Sequence, residues 1–391
     1  MLGGCLVCLP VLAQDEAIDS EVAAGGQREP GRVELSLDLN SFYSDNYYYE
    51  PDGENEVTGF VAEPRLLLSR AGSRLRGELR AAAELGTFDL PGDVDDYIDT
   101  TYGGSLEWQP GSAHQFGLSA SVAEDHDPFG VDRTENAAVR DRDLDEWRGV
   151  RSELRHRYER SGSRFGLETR VAGFDKTYRT NRAATRFLDY DQAQGQVTAL
   201  YRISPKTSVL ADAVLMDTDF EVATDRSGTD RRYRLGLRWQ ATAKTTGDVR
   251  VGRVERDFDL GRFEDFEAVD WQATLGWQPD ARNTIGLQSG RRAVESYVNG
   301  VGFIDSRYHT LDWTRDWSTR LSSRAAIDFA QLDFYGLERT DDLFSVGLTA
   351  SYRASRLLSL IGGAKLGNRD SSRAVLDYDR SSAFLGLRAA Y

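Results

Sequence analysis

Apolar and polar residues alternate at every second position in segments of about ten residues, beginning near Val33 and continuing to the last residue. In the clearest segment, from Arg74 to Leu85, arginine and glutamate occupy most of one set of positions, and leucine, alanine and glycine occupy the other. Successive side chains of a strand point to opposite faces, so this pattern predicts strands with one polar and one apolar face. A helix with the same pattern would have no apolar stripe. The pattern therefore predicts an all-β protein.

About eighteen strands fit this pattern, each bounded by residues that favour turns. The connections between them are short and long in strict alternation. The short turns are rich in glycine, serine and proline, whereas the longer connections are polar and cover 43–56, 87–96, 125–146, 175–190, 218–230, 258–267, 294–303, 334–340 and 368–379.

This sorting of connections is typical of an outer-membrane barrel, which has short periplasmic turns at one rim and longer extracellular loops at the other. An even number of strands leaves both termini on the periplasmic side. We therefore predict a transmembrane antiparallel up-and-down β-barrel of about 18 strands over residues 33–391, with both termini periplasmic, in a bacterial outer membrane.

Aromatic residues mark the ends of the strands that lead into the short turns. Amphipathic rings at one depth form the interfacial girdle of membrane barrels. The last strand, predicted at 380–391, also resembles the C-terminal signal that the barrel-assembly machinery reads, because apolar residues at every second position lead to a terminal aromatic. The predicted girdle consists of Trp108, Tyr158, Tyr201, Trp239, Trp277, Trp317, Tyr352 and Tyr391.

The N-terminal segment predicts export. Residues 1–13 are apolar and small and resemble a signal peptide truncated at its start, because the basic first region is missing. A lipoprotein signal ending at Cys5 is an alternative. Residues 14–32 are polar and acidic, which predicts a flexible periplasmic leader. Both cysteines, Cys5 and Cys8, lie in the removable segment, so we expect no disulfide and no cysteine-based metal site in the mature chain.

Composition agrees with a barrel. The net charge is −15, and no run of eighteen apolar residues, the minimum for a transmembrane helix, follows the N-terminus. The mean hydropathy is −0.51, and a membrane barrel can have this low value because half of its strand positions face water. The acidic balance and the lack of a basic patch motif argue against a nucleic-acid partner.

Arginine dominates the positions that are predicted to face the lumen, which is water-filled in barrels of this size. Guanidinium groups bind carboxylate and phosphate in pairs of hydrogen bonds, so these arginines could guide an anionic polysaccharide. The alternative is that they pair across strands with inward acids such as Glu78, Glu84, Glu153, Glu168, Asp212 and Asp270. The predicted lumen-facing residues are Arg74, Arg76, Arg80, Arg151, Arg155, Arg157, Arg170, Arg232, Arg234, Arg238 and Arg292.

Two features stay open. The alternation in 247–257 points Arg253 toward lipid, where a charge at mid-membrane costs roughly 2–4 kcal/mol, so a β-bulge or a different register is an alternative there. The long connection 125–146 is a candidate plug if it folds inward.

Enzymatic chemistry has little support. No two histidines have the sequence spacing of a metal pair, and no calcium-loop spacing is present. His126, between Asp125 and Asp127 in a predicted extracellular loop, is the one candidate for a catalytic group, and a solvated loop side chain is the simpler interpretation. We therefore predict no catalytic residue, no metal and no cofactor. The histidines are His114, His126, His156 and His309.

Residues 180–296 resemble the beta-barrel porin family found with exopolysaccharide biosynthesis operons. The similarity lies in hairpins such as YRISPKTS and LRWQATAKTTG, which carry no catalytic motif. The resemblance implies an outer-membrane barrel that assists exopolysaccharide export. The expected partners are outer-membrane lipid and lipopolysaccharide, the barrel-assembly machinery through the C-terminal strand, and periplasmic polysaccharide-export components. A porin for small anionic or sugar solutes, a barrel enzyme of lipase or protease type, and a structural component without a passage are the alternatives.

Overall fold

The computed structural model describes residues 31–51, 56–89, 96–130, 132–135, 144–242 and 244–391. It contains one 18-stranded antiparallel sheet, so the predicted fold class and strand number are confirmed. The strands are β1 Arg32–Ser44, β2 Val57–Ala71, β3 Leu75–Asp89, β4 Tyr97–Trp108, β5 His114–Asp127, β6 Asp145–Glu159, β7 Phe165–Tyr178, β8 Tyr190–Ser204, β9 Thr207–Phe220, β10 Gly228–Thr242, β11 Thr245–Phe258, β12 Phe266–Asp280, β13 Asn283–Val294, β14 Ile304–Asp316, β15 Leu321–Phe334, β16 Thr340–Arg353, β17 Leu358–Ser371 and β18 Tyr378–Ala390.

The sheet closes on itself through its first and last strands. Every strand pairs with its neighbours along the chain, and β1 also pairs with β18 in a ladder that includes Leu39 opposite Leu387. The backbone N–H of Leu35 donates to the carbonyl oxygen of Tyr391 at 3.0 Å, and the N–H of Tyr391 donates back at 2.8 Å. The result is an up-and-down barrel with no free edge strand.

Strand alternation separates an apolar outer face from a polar inner face. In β10, the side chains of Tyr233, Leu235 and Leu237 are exposed on the outside, whereas Arg232 and Arg234 point to the inside and bond to inner acids. The exposed leucine, valine and aromatic side chains of the other strands continue this outer surface. A band of this kind has a favourable environment in lipid.

The two rims of the barrel differ in their connections. We call the rim with the short connections, such as 72–74, 205–206 and 281–282, the turn rim, and the opposite rim, with connections such as 128–144, the loop rim. The predicted alternation of short and long connections is thus confirmed. β1 begins and β18 ends at the turn rim. The predicted signal peptide at 1–13 and residues 14–30 of the predicted leader lie outside the described residues.

Helical structure in the described residues is limited to single turns, and none of these helices is long and apolar enough to span a membrane. All of them lie in connections at the loop rim. They are Asp132–Thr134, Arg182–Thr185, Arg186–Leu188, Thr224–Arg226 and Ala374–Leu376.

The eight aromatic residues of the predicted girdle all lie at the turn-rim ends of their strands, on the outer side of the wall. Trp108, Trp277 and Trp317 are each about half exposed, and Tyr391 is 85% exposed. Tyr158, Tyr201, Trp239 and Tyr352 occupy the equivalent ends of β6, β8, β10 and β16. Their position suits a membrane interface, and that role stays a prediction.

Arg253 points outward, as the alternation of β11 indicates. The ladders of β11 with β10 and β12 show no register shift near it, so neither a bulge nor a new register applies. Its Nη2 atom instead lies 2.7 Å from carboxylate oxygens of both Glu255 and Glu267, which share its face. These pairs, close to the loop-rim end of β11, offset the cost of an outward charge.

Candidate functional site: the barrel lumen

The predicted lumen arginines lie on the inner-face positions of their strands, opposite in phase to the exposed apolar residues. Arg76 and Arg80 are on β3, Arg151, Arg155 and Arg157 on β6, Arg170 on β7, Arg232, Arg234 and Arg238 on β10, and Arg292 on β13. Arg74 lies in the turn between β2 and β3.

Four of these arginines belong to one chain of ion pairs, which we call the inner charge network. It follows the inner wall from β6 to β12 and ends at Glu295, just after β13. Each acid in it contacts arginines from its own or nearby strands. Its members are Arg157, Glu168, Asp212, Asp230, Arg232, Arg234, Arg238, Asp248, Arg250, Arg256, Asp270 and Glu295. Glu153 forms a separate group with Arg155 and Arg170 on β6 and β7.

Asp212 is a carboxylate of the inner charge network whose side chain is fully buried. Only 4% of the residue is exposed, and the Nε atom of Arg234 donates to it at 2.8 Å. Gln196 and Thr198 on β8 also donate to it, at 2.8 and 2.7 Å, and Arg250 lies at 3.3 Å. A buried carboxylate with this many donors stays ionised and fixes the donors in place.

A second inner cluster joins the barrel seam. Asp38 on β1 is fully buried and accepts two hydrogen bonds from Arg388 on β18, at 2.7 and 2.6 Å. Arg65 on β2 donates to the same carboxylate at 3.0 Å and also bonds Glu63. The first, second and last strands are thereby held together by charge as well as by their ladders.

These contacts favour the interpretation that lumen arginines pair with inward acids. In the inner charge network, arginines and acids are present in nearly equal number, and the arginines have carboxylate partners in the wall. The part of the lining that this network covers is therefore a surface of paired charges. Such a surface offers many hydrogen-bond donors and acceptors at little net charge.

A cavity of about 500 Å³ opens on the inner face at the turn rim. Its lining has more basic than acidic side chains, which distinguishes it from the balanced wall above it. The basic residues are Arg157, Arg164, Arg202, Lys206 and Arg238, and the acids are Glu159 and Asp248.

The described part of the connection between β5 and β6 reaches across the loop rim to distant strands. Glu135 of this connection accepts hydrogen bonds from Arg339 at 2.7 and 2.8 Å and from Arg369 at 2.5 Å. Arg339 precedes β16 and Arg369 is on β17, far around the wall from β5. The side chains of Arg339 and Arg369 are 2% and 7% exposed. We use the term plug for the described part of this loop, and its folding into the lumen stays a prediction.

The same loop packs against the β1–β2 connection. Phe129 is buried beside Tyr97 and Leu144, with Tyr47 and Tyr48 packed against them. Its neighbour Gly130 has a φ of +77°, and a Cβ atom there would lie 1.8 Å from the carbonyl oxygen of Tyr48. Only glycine fits such a position.

Gly130→Ala is therefore expected to loosen the plug. The substitution adds a steric clash to the strain of a positive φ. If it lowers the free energy of loop closure by about 1.4 kcal/mol, the fraction of molecules with an open loop rises roughly tenfold. Limited proteolysis within 128–144 measures this fraction when opening is fast relative to cleavage. Gly300→Ala is the matched control, because φ is +83° there but the space around its Cβ is empty. Equal cleavage rates for the two variants would contradict the packing role of Gly130.

A second contact at the loop rim surrounds Lys176. Its ammonium group lies 4.5 Å from the centre of the Trp147 ring, 4.6 Å from Tyr178 and 5.3 Å from Tyr297. It also lies within hydrogen-bond distance of the hydroxyls of Tyr178 and Tyr297. Tyr297 belongs to the connection between β13 and β14, so this cation–π cage draws a second loop over the lumen.

One interpretation of the histidines is wrong. His126 is not a solvated loop residue, because it lies in β5 with its side chain 13% exposed and its Nδ1 atom 3.0 Å from Asp99. His114 and His156, distant in sequence, face each other across β5 and β6 with ring nitrogens 3.1 Å apart. Sequence spacing does not reveal such neighbours, because strand pairing brings them together.

A closed barrel with an apolar outer face, a charged lumen and loops folded over one rim defines an outer-membrane channel protein. Residues 36–391 match the family described as "Putative beta-barrel porin 2", and the chain belongs to this family. It is a bacterial outer-membrane protein of porin type. No curated protein matches the sequence.

Among solved structures, the chain is similar to OpdO from Pseudomonas aeruginosa, with 15% identity and a TM-score of 0.49 over 93% of this chain and 98% of that one. For opdK from Pseudomonas aeruginosa, identity is 12% and the TM-score 0.48, covering 92% and 99%. For the FrpB iron transporter from Neisseria meningitidis, identity is 9% and the TM-score 0.47, over 88% of this chain. The chain spans 62% of the FrpB chain.

Proposed function

We propose that this protein is a conduit through which an exopolysaccharide leaves the cell across the outer membrane. The observation that carries the proposal is the inner charge network, a continuous wall of paired arginines and acids from β6 to β12. Polysaccharides carry a dense array of hydroxyl groups that both donate and accept hydrogen bonds. A wall of paired charges can exchange such bonds along its length without holding the polymer at any one point.

The turn rim is the proposed entrance. In this orientation the short turns and both chain ends face the periplasm, and lipopolysaccharide surrounds the loop rim. The excess of basic groups around the turn-rim cavity suits polymers with uronate or other acidic substituents. Periplasmic polysaccharide-export components would dock at this rim.

The covered loop rim favours a gated conduit over a porin for small solutes. A general porin has a permanently open passage, whereas Glu135 and Tyr297 here hold two loops across the lumen. We expect the purified protein to show low basal conductance in planar bilayers. A large, steady ohmic conductance would favour the alternative of a porin for small anionic or sugar solutes.

Deleting the gene is expected to abolish surface polymer while uptake of small sugars stays unchanged. Polymer that is made but not exported should accumulate behind the outer membrane, which antibody staining before and after permeabilisation would detect. Re-expression of the wild-type chain is the control for the deletion. Surface polymer at the wild-type level in the deletion strain would refute the export role.

A further inference from the structure

A group of metal-ligating side chains lies at the loop-rim ends of β4 and β5. Asp99, Asp125 and His126 each offer one ligand atom, and these atoms all lie within 4.8 Å of one another. The side chains of Asp99 and His126 are 19% and 13% exposed, and that of Asp125 is 43% exposed. The group lies outside the inner charge network and has no part in the proposed export role.

A break in strand pairing creates this arrangement. The ladder between β4 and β5 ends where Thr100 pairs with Glu124. Asp99 therefore has no ladder pairing with the residues that follow Glu124. In a regular ladder, Asp99 and Asp125 would share one face and His126 would point to the other. Here the imidazole joins the two carboxylates, with its Nδ1 atom 3.0 Å from Asp99 and 4.0 Å from Asp125.

The surroundings hold the three ligands in place. The backbone N–H of His126 donates to Asp125 at 2.7 Å, and the His126 ring packs on Tyr97 with centroids 4.4 Å apart. Tyr97 is fixed in turn by its hydroxyl, which donates to Glu84 at 2.6 Å. Metal ligands are commonly oriented by such outer contacts.

The neighbouring wall residue has a buried donor that a ligand at this site could satisfy. Trp147 is the partner of Asp125 in the ladder between β5 and β6 and is only 3% exposed. Its indole Nε1 atom is buried and has no hydrogen-bond partner among the described residues. Water molecules completing a metal's coordination beside Asp125 would supply an acceptor for such a donor.

We propose that Asp99, Asp125 and His126 bind a divalent transition-metal ion of the zinc class. Two carboxylates balance the charge of the ion, and an imidazole among them favours such an ion over calcium or magnesium, which take oxygen ligands. Three protein ligands leave positions for water. The bound ion would join β4 to β5 directly before the connection that carries Glu135.

Zinc titration of the full chain, folded in detergent and produced without a polyhistidine tag, tests the site. The background carries Cys5→Ser, Cys8→Ser, His114→Ala and His156→Ala, because these groups could bind zinc elsewhere. We expect one zinc ion per barrel, measured by calorimetry. Asp125→Asn and His126→Ala should each weaken binding by about 100-fold, since even outer-shell changes weaken metal binding roughly 10–100-fold.

Asp125→Asn is the decisive variant, because a simple hydrogen bond between Asp99 and His126 does not need Asp125. Unchanged heat-modifiable migration on gels shows that each variant is folded, and Asp328→Asn is the matched control on a distant inner wall. Zinc affinity equal in the background and in Asp125→Asn would overturn the site. Binding of calcium in preference to zinc would overturn the assigned ion class.

Discussion

Asp212→Asn is expected to lower the free energy of unfolding by about 3 kcal/mol, because removing one partner of a buried ion pair leaves the other charge uncompensated. Arg234 and Arg250 both contact this carboxylate, and neither can move into open water without disturbing the wall. Urea unfolding of the barrel in detergent, followed by tryptophan fluorescence, measures the loss.

Glu78→Gln is the matched control for Asp212→Asn. Glu78 also contacts two arginines, Arg76 and Arg80, but their side chains are 45% and 48% exposed. Exposed ion pairs contribute about 1 kcal/mol or less. Similar losses for the two variants would show that enclosure of Asp212 in the wall is unimportant for stability.

Glu135→Gln is expected to open the loop rim. The substitution removes the carboxylate that Arg339 and Arg369 share, and hydrogen bonds between charged groups each contribute about 2 kcal/mol. A loss of that size shifts the ratio of closed to open states roughly 30-fold. Single-channel recording should therefore show longer and more frequent open periods, and intact cells should become more sensitive to large antibiotics.

Glu124→Gln provides the comparison for Glu135→Gln. Glu124 forms an ion pair with Arg179 in which both side chains are more than 40% exposed, so the same change of charge leaves the plug intact. Wild-type conductance in Glu124→Gln together with raised conductance in Glu135→Gln would assign the effect to the contacts of Glu135 with Arg339 and Arg369. Unchanged gating in Glu135→Gln would show that the loop is held by other contacts.

The barrel could be predicted from the sequence because its determinants are local. The alternation of apolar and polar residues and the order of short and long connections are both visible in neighbouring residues. They predict the number of strands and place Leu235 and Arg234 on opposite faces. The same reasoning placed Arg253 outward. Its partners were less apparent, because Glu267 is brought beside it only by the register of β11 and β12.

The candidate sites depend on contacts that no local pattern contains. Glu135 meets Arg339 across 204 positions of sequence, and no periodicity links a loop residue to a distant part of the wall. His126 joins Asp99 only because the ladder between β4 and β5 stops at Thr100. Pairing of inward arginines with acids was one of two interpretations, since a sequence shows which face a charge occupies but not its distance from another charge.

The seam between β1 and β18 has a consequence for the order of folding. Leu35 and Tyr391 form backbone hydrogen bonds across the seam. The barrel therefore cannot close until β18 has been made and pairs with β1. Until then, the growing sheet presents two unpaired edges, which attract other strands and favour aggregation. β18 is therefore the strand that closes the barrel, and its removal should leave an open sheet of seventeen strands that cannot form a channel.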